Sequence, residues 1–230
     1  MYILGIDQGI ANMGYSILEN DKLITYGCIN TNSNDSLEER FFSIYSQIKI
    51  LIEEFKPEIL CCEKLFYTSP KAGNRNKSAS IIYTNMITGV LTVLAGEFSI
   101  ELRQFVPSKV KKAICNDGKA QKDDVIAKIK SMYNVDSAKT KYEHVCDSIA
   151  IAYTCYIENI SNPEIHDEYK KYKIEKLEKT EKAESLRLRK IDKERKALMR
   201  KKKREEKLRL KEKKDCNKAK KKEKSAGKKD

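Results

Sequence analysis

Short apolar runs separated by turn residues open the chain, and their spacing predicts three adjacent strands. Residues 2–9 hold an apolar run that ends at Asp7 before a glycine, and residues 13–18 hold a second run. A third run covers residues 22–29, with Asn and Asp between it and the second. Short apolar runs bounded by Gly, Asn and Asp are typical of strands joined by tight turns. We therefore predict three antiparallel strands at the start of the fold.

A helix and a further strand follow this meander. Apolar positions between residues 37 and 52 recur at helical spacing, behind a serine–glutamate pair with the spacing of a capping box. Residues 58–63 are then a short apolar run that ends in Glu63. A strand entered from a helix is usually parallel to an earlier strand, because such a connection needs a crossover. We therefore expect Glu63 to lie near Asp7, at one edge of the sheet.

The next hundred residues predict helices and one more strand. Residues 68–77 are polar and basic and contain Pro, Gly and Asn, which favours a mobile loop. The helix expected over residues 78–97 has an apolar side that we assign to Ile81, Ile82, Met86, Leu91 and Leu94. The remaining elements are a strand over 100–106 and helices over 108–114, 121–133 and 142–153.

The last of these helices carries both polar and apolar groups. His144 and Asp147 are three residues apart, so they share one face of its first turns. Three apolar residues of the same helix can face the sheet: Val145, Ile149 and Ala152.

Each of the acidic residues has an ordinary structural explanation when it is considered alone. Asp7 could cap its turn, Glu63 could be the first solvated residue after a strand, and Asp147 could complement the helix dipole. Together with His144 they suggest a metal site, because converging carboxylates repel one another unless cations lie between them. Oxygen ligands of this kind suit Mg²⁺ or Mn²⁺, and two ions about 4 Å apart can clamp a phosphodiester.

The net charge of +13 lies almost entirely in the last part of the chain. Residues 167–230 contain 29 Lys and Arg against 14 Asp and Glu and so carry +15, whereas residues 1–166 carry −2. We predict a globular domain over residues 1–160 and a basic tail over residues 161–230 that is helical and grades into disorder. A tail of this charge favours a polyanionic partner, either nucleic acid or an anionic membrane surface.

Other classes of protein are disfavoured by what the sequence lacks. It contains no apolar stretch that would span a bilayer and no leader pattern, so we expect a soluble cytoplasmic protein. Seven cysteines without paired spacing and only two histidines disfavour a zinc site and favour reduced, buried thiols.

The order and spacing of these motifs resemble the RuvC-type Holliday junction resolvases of the RNase H-like superfamily. Each matching segment is weak by itself, but together they extend over residues 1 to about 157. The segments are residues 3–9, 14–17, 26–29, 57–66, 110–111 and 144–152.

The resemblance implies a structure and a chemistry. It implies an α/β fold of the RNase H type, with a mixed five-stranded sheet flanked by helices, and a homodimer. It also implies that the catalytic metal ligands are Asp7, Glu63, His144 and Asp147, holding two Mg²⁺ or Mn²⁺ ions per active site. The expected activity is metal-dependent hydrolysis of phosphodiesters in a four-way DNA junction, with paired symmetric nicks in recombination and repair.

The resemblance and the placement of basic residues also predict contacts with DNA. Phe66 matches an aromatic residue that stacks on a base, and Lys111 and Lys122 match basic positions near the scissile phosphate. We expect two further groups to grip backbone phosphates, one in the predicted loop and one in the predicted helix over residues 108–114: Lys71, Arg75 and Lys77, and Lys109 with Lys112.

The sequence departs from the family pattern at two places and leaves alternatives open. His144 stands where many members carry a carboxylate, which leaves open whether Mg²⁺ or Mn²⁺ is preferred, and the family offers no role for the tail. The alternatives are a looser branched-DNA nuclease, a related nuclease acting on ribosomal RNA precursors, and a junction-binding protein without catalysis. Whether a branch-migration helicase works with the protein is also left open.

Overall fold

The structure is a computed structural model. It describes residues 1–64, 75–136 and 141–226, without the side chains of residues 75–81, 197, 198 and 200–226.

The described strands form one mixed five-stranded sheet in the order β3-β2-β1-β4-β5. Their bounds are Tyr2–Asp7 (β1), Asn12–Glu19 (β2), Lys22–Asn30 (β3), Ile59–Glu63 (β4) and Glu101–Phe105 (β5). The first three strands are antiparallel, whereas β4 and β5 run parallel to β1. This arrangement confirms the predicted fold class, including the parallel neighbour of the first strand.

The described helices follow one another along the chain in the predicted order. Their bounds are Leu37–Phe55 (α1), Arg75–Glu97 (α2), Pro107–Cys115 (α3), Lys122–Met132 (α4), Tyr142–Ser161 (α5) and Pro163–Ala226 (α6). Ser36 and Glu39 form the predicted capping box of α1, in which each side chain bonds the backbone N–H of the other residue.

The two faces of the sheet bury separate apolar clusters. One cluster packs α3, α4 and α5 against one face, and the other packs α1 and α2 against the opposite face. Two glycines allow α5 to approach the sheet closely. A Cβ atom at Gly5 would lie 2.4 Å from the carbonyl oxygen of Ser148, and one at Gly14 would lie 1.9 Å from that of His144. The first turns of α5 can therefore lie directly over the ends of β1 and β2.

The α2 helix differs from the sequence prediction at its start and in its buried face. It begins at Arg75, three residues earlier than predicted, because no Gly or Pro interrupts the chain between Gly73 and Gly89. Leu91 and Leu94 are buried as predicted, and Ile87 is buried with them, whereas Ile82 and Met86 are exposed. The helix has apolar residues on two sides, and only the sheet decides which side is covered.

Two compact units make up the chain, Met1–Lys170 and Lys171–Asp230. The predicted boundary at residue 160 and the predicted disorder at the end of the tail stay predictions. Among the described residues, no helix combines the length and the apolar character that a bilayer-crossing segment requires.

Candidate active site

Asp7 and Glu63 lie side by side at the ends of two parallel strands. The register pairs Ile6 of β1 with Cys62 of β4, so the next residues of both strands are neighbours. Side chains alternate between the faces of a sheet, and Ile3 and Cys61 belong to the cluster that packs against α5. By the same alternation Asp7 and Glu63 are directed toward the α5 face. The sheet therefore places both carboxylates at the start of that helix.

The α5 helix brings His144 and Asp147 to this edge. The Nδ1 atom of His144 lies 2.6 Å from Oδ2 of Asp7, across 137 residues of sequence. This hydrogen bond is the main reason that the pKa of His144 is raised, and the negative charge of Asp7 adds to the effect against the opposing influence of burial. Asp147 is mostly buried one helical turn further along the helix.

The carboxylates of this cluster are buried close enough to oppose one another's ionisation. Burial, followed by the negative charges of Asp7 and Asp147, raises the pKa of Glu63 to about 7. Burial and the charge of Asp7 likewise raise the pKa of Asp147. The edge therefore holds more negative charge than its own cations neutralise, which is the condition under which a cation is attracted.

Two of the predicted lysines lie beside these carboxylates. The Nζ atom of Lys122, at the start of α4, is 3.3 Å from Oδ2 of Asp147 and 2.9 Å from Oε2 of Glu143. Lys111 in α3 and Lys122 both lower the pKa of Glu63, although burial and the acidic neighbours outweigh them. Both lysines therefore partly offset the negative charge around Glu63.

The cluster is not yet arranged as a metal cage. Among the described residues, no three His, Cys, Asp or Glu side chains stand close enough together to hold a metal ion. Asp7 is instead bonded to His144, and Asp147 is paired with Lys122. The donor set nevertheless fits a hard divalent ion, because it consists of carboxylates and an imidazole with excess negative charge.

Of the other residues predicted to contact DNA, two have described side chains and four do not. Lys109 is paired with Glu158 near the far end of α5 and lies over the ring of Phe105. Lys112 is exposed on α3. Four further residues fall outside what the structure describes, two entirely and two by their side chains: Phe66 and Lys71, and Arg75 and Lys77.

Gln8 is a residue of this edge that the sequence argument passed over. Its Nε2 atom donates to Oγ1 of Thr88 at 2.8 Å, which ties the end of β1 to α2. Its Oε1 atom is buried without a hydrogen-bond partner among the described residues. A polar residue directly after the strand-end carboxylate was the signal available in the sequence. Gln8 positions the backbone that carries Asp7.

Comparisons with known proteins point to one family. A family model described as "Crossover junction endodeoxyribonuclease RuvC" matches residues 3–155. The protein of that name from Prochlorococcus marinus is 34% identical over 159 residues, which are 67% of this chain and 95% of that protein. The one from Caldanaerobacter subterraneus is 32% identical over 165 residues, 70% of this chain and 95% of that protein.

Solved structures show the same fold. Thermus thermophilus RuvC in complex with a Holliday junction substrate has a TM-score of 0.60 at 22% identity, covering 70% of this chain and 96% of that chain. The yeast mitochondrial Holliday junction resolvase Ydc2 has a TM-score of 0.50 at 17% identity, covering 74% of this chain and 85% of that chain. The resemblance drawn from the sequence motifs is confirmed, and the chain belongs to the crossover junction endodeoxyribonuclease RuvC family.

Proposed function

We propose that this protein is a Holliday junction resolvase that makes paired symmetric nicks in four-way DNA junctions by metal-dependent hydrolysis. Its class is that of a DNA-cleaving hydrolase, and nucleases of this family depend on divalent metal ions. The observation that carries the proposal is the convergence of two strand-end carboxylates with His144 and Asp147 in a chain of this family.

We assign the metal to Asp7, Glu63, His144 and Asp147, with two Mg²⁺ or Mn²⁺ ions in each site. Bound divalent ions would activate the attacking water and stabilise the leaving oxygen of the scissile phosphate. The contact between Nδ1 of His144 and Asp7 supports the assignment, because a protonated Nδ1 leaves Nε2 available as a ligand. Imidazole suits Mn²⁺ better than Mg²⁺, which favours Mn²⁺ for this chain.

Lys122 and Lys111 have the role of neutralising charge on the scissile phosphate. The side chain of Lys122 is about half exposed while it is paired with Asp147, so it can reach outward from the cluster. A cation held by Asp147 would weaken its attraction for Lys122, and the ammonium group would then be available to a phosphate oxygen. Preorganised positive charge of this kind stabilises the negative charge that develops during hydrolysis.

A homodimer with two active sites is supported by an exposed stripe on α2. Ile82, Met86 and Val93 are 52%, 44% and 62% exposed, and they recur at helical spacing on one side of the helix. Gly89 and Gly96 continue this side, and a Cβ atom added at either would meet nothing within 4 Å. An apolar stripe with glycines lets a second helix approach closely. A two-fold dimer would present two sites to opposed strands of one junction.

The proposal is tested by incubating the purified protein with a labelled synthetic four-way junction and with Mg²⁺, Mn²⁺ or chelator. Forks, flaps and linear duplexes of the same arm sequences serve as competing substrates. Symmetric nicks in opposed strands of the junction, dependent on metal and absent with linear duplex, support the proposal. Equal cleavage of forks and flaps would instead establish a general branched-DNA nuclease, and binding without cleavage under every metal would overturn the enzymatic assignment.

A further inference from the structure

The tail carries many more basic than acidic residues, and the basic residues are not spread evenly around the α6 helix. Lys171–Asp230 contain 28 Lys and Arg against 12 Asp and Glu. An α-helix advances about 100° per residue, so positions that alternate steps of three and four share one face. The distribution of charge over the faces of α6 can therefore be obtained from its sequence once the backbone is known to be helical.

Over residues 189–222, one face of α6 is basic without interruption. Between residues 189 and 222, a sector about 100° wide contains twelve positions, and all twelve are Lys or Arg. They are Arg189, Lys193, Lys196, Arg200, Lys203, Arg204, Lys207, Lys211, Lys214, Lys218, Lys221 and Lys222. Only 19 of the 34 residues in this interval are Lys or Arg, so random placement would leave about five of the twelve positions without positive charge. We call these twelve residues the basic ridge.

The acidic residues of the same interval all lie off the ridge. They are Asp192, Glu194, Glu205, Glu206, Glu212 and Asp215. In the part of α6 whose side chains are described, Arg189, Lys193 and Lys196 are exposed. The ion pair between Lys196 and Asp192, at 2.7 Å, joins two exposed side chains. An ion pair between exposed side chains is weak in water, so Lys196 can exchange Asp192 for a phosphate.

We propose that the basic ridge of α6 is a second DNA-binding surface that follows the phosphate backbone of a duplex. The choice of DNA among polyanions rests on the proposed function, whereas the ridge itself rests on the charge pattern. A membrane surface suits this helix poorly, because an interfacial helix needs an apolar face opposite its basic one. Here Leu188, Ile191 and Met199 are interspersed with acidic residues off the ridge.

The dimensions of the ridge suit a duplex arm. Residues 189–222 extend over about 50 Å at 1.5 Å per residue, which is about one and a half turns of B-DNA. A straight helix meets a winding strand only where the two cross, so we expect about three to six of the twelve cations to contact phosphates at one time. Each contact contributes about 0.9 to the slope of log K against log salt.

The test compares two full-length variants with the same composition and net charge. The ridge-breaking variant carries K193E/E194K, R204E/E205R, K211E/E212K and K214D/D215K, each of which moves an acid onto the ridge. The matched control carries E194R/R195E, K202E/E205K, E212K/K213E and E223K/K224E, all off the ridge. Binding to a linear duplex is measured by fluorescence anisotropy from 50 to 300 mM salt in chelator, and circular dichroism compares the helix contents.

The proposal predicts that the ridge-breaking variant, which replaces four of the twelve ridge cations by acids, loses about one to two units of salt slope and binds duplex at least tenfold more weakly at low salt. The control should bind like the wild-type protein. If both variants bind like the wild type, net charge alone determines binding and the ridge is not a site. If both weaken equally, the loss does not depend on the ridge and the proposal is likewise wrong. Preferential binding of the wild-type protein to phosphatidylserine vesicles over duplex, unaffected by breaking the ridge, would also overturn it.

A second pair of variants covers the case in which exchanging charges reduces helix content. K193Q/K196Q/K207Q/K214Q removes four ridge cations, and K190Q/K202Q/K213Q/K220Q removes four others. The ridge set should lower the salt slope by about one unit more than the other set, and equal losses would contradict the proposal. Junction cleavage in Mn²⁺ is a separate readout. Its absence refutes the proposed function, whereas equal slopes refute only the ridge.

Discussion

The two ends of the parallel strands each hold a cluster of acidic and histidine side chains, but only one cluster is neutralised. At the carboxyl ends, Asp7, Glu63 and Asp147 oppose one another's ionisation. At the amino ends, Glu101 binds Arg103 at 2.5 Å and His166 at 3.0 Å, within a buried network. The same residue types therefore form a site with uncompensated negative charge at one edge. At the other edge they form a saturated network, in which the carboxylates have cationic or histidine partners.

The saturated network holds α6 to the body within Met1–Lys170. His166 lies between Glu101 and Glu58, and Lys170 lies 3.2 Å from Glu58. Burial opposes the ionisation of Glu58, but hydrogen bonds from Lys170 and His166 outweigh it, so the pKa of Glu58 is lowered. The carboxyl pKa values are raised at the first edge, where cations are lacking. The pKa of Glu58 is lowered at the second edge, where the protein supplies its own cations.

The largest expected effect is the loss of cleavage when Asp7 is replaced. Asp7→Asn should lower the rate of junction cleavage by about 10³-fold, because a metal ligand supplies several kcal/mol of transition-state stabilisation. Glu101→Gln, at the opposite edge, should leave the rate within about twofold at a temperature where the variant is folded. Cleavage by Asp7→Asn at the wild-type rate would refute the metal-site assignment, and junction binding measured in parallel excludes a loss of affinity.

Replacement of Arg103 should have the largest effect on stability. Arg103→Met leaves a buried carboxylate without its main partner, and we expect a loss of about 3 kcal/mol in the free energy of unfolding. Denaturant unfolding measures this loss. Cleavage per folded molecule should be unchanged, and a defect in cleavage without a loss of stability would contradict the division between the two edges.

Replacement of Glu63 should stabilise the metal-free protein. Its pKa of about 7 lies above that of the unfolded chain, so the folded state loses stability as pH rises from about 4.5 to 7. In chelator at pH 8, Glu63→Gln should therefore raise the free energy of unfolding by about 1–3 kcal/mol, and the gain should vanish near pH 4.5. A variant that is less stable than the wild type at pH 8 would show that the carboxylates do not repel one another.

Replacement of Glu58 should have the smallest effect and the opposite sign. Its lowered pKa means that the ionised form stabilises the fold at neutral pH and that this contribution is lost as pH falls. The side chain is 40% exposed, so Glu58→Gln should cost no more than about 1 kcal/mol at pH 7. Thermal melts at pH 7 and at pH 3.5 measure it, and a gain in stability at pH 7 would contradict the comparison.

The sequence was sufficient to predict that Asp7 and Glu63 share one edge of the sheet, but not the cluster at the opposite edge. Asp7 and Glu63 each end an apolar run, and a parallel crossover places such ends together, so their proximity follows from local patterns. Glu58, Glu101 and His166 follow no motif. Their contacts depend on the pairing of β4 with β5 and on where α6 begins, which periodicity does not specify.

The exposed side of α2 and the partner of Lys109 also could not be predicted from the sequence alone. Ile82 and Met86 have the same periodicity as buried residues, and only the position of the sheet distinguishes the two apolar sides. Lys109 and Glu158 are 49 residues apart and meet because α3 packs on α5. Long-range pairs of this kind leave no signal in a single sequence.

The most direct test of the account is a crystal structure with Mn²⁺, in which anomalous scattering locates the ions. We predict Mn²⁺ at the edge formed by Asp7, Glu63, His144 and Asp147, about 2.0–2.3 Å from their ligand atoms, with Lys122 displaced from Asp147. Mn²⁺ bound elsewhere, or an edge that keeps the pairing of Lys122 with Asp147 at saturating Mn²⁺, would contradict the claim that these side chains form the metal centre.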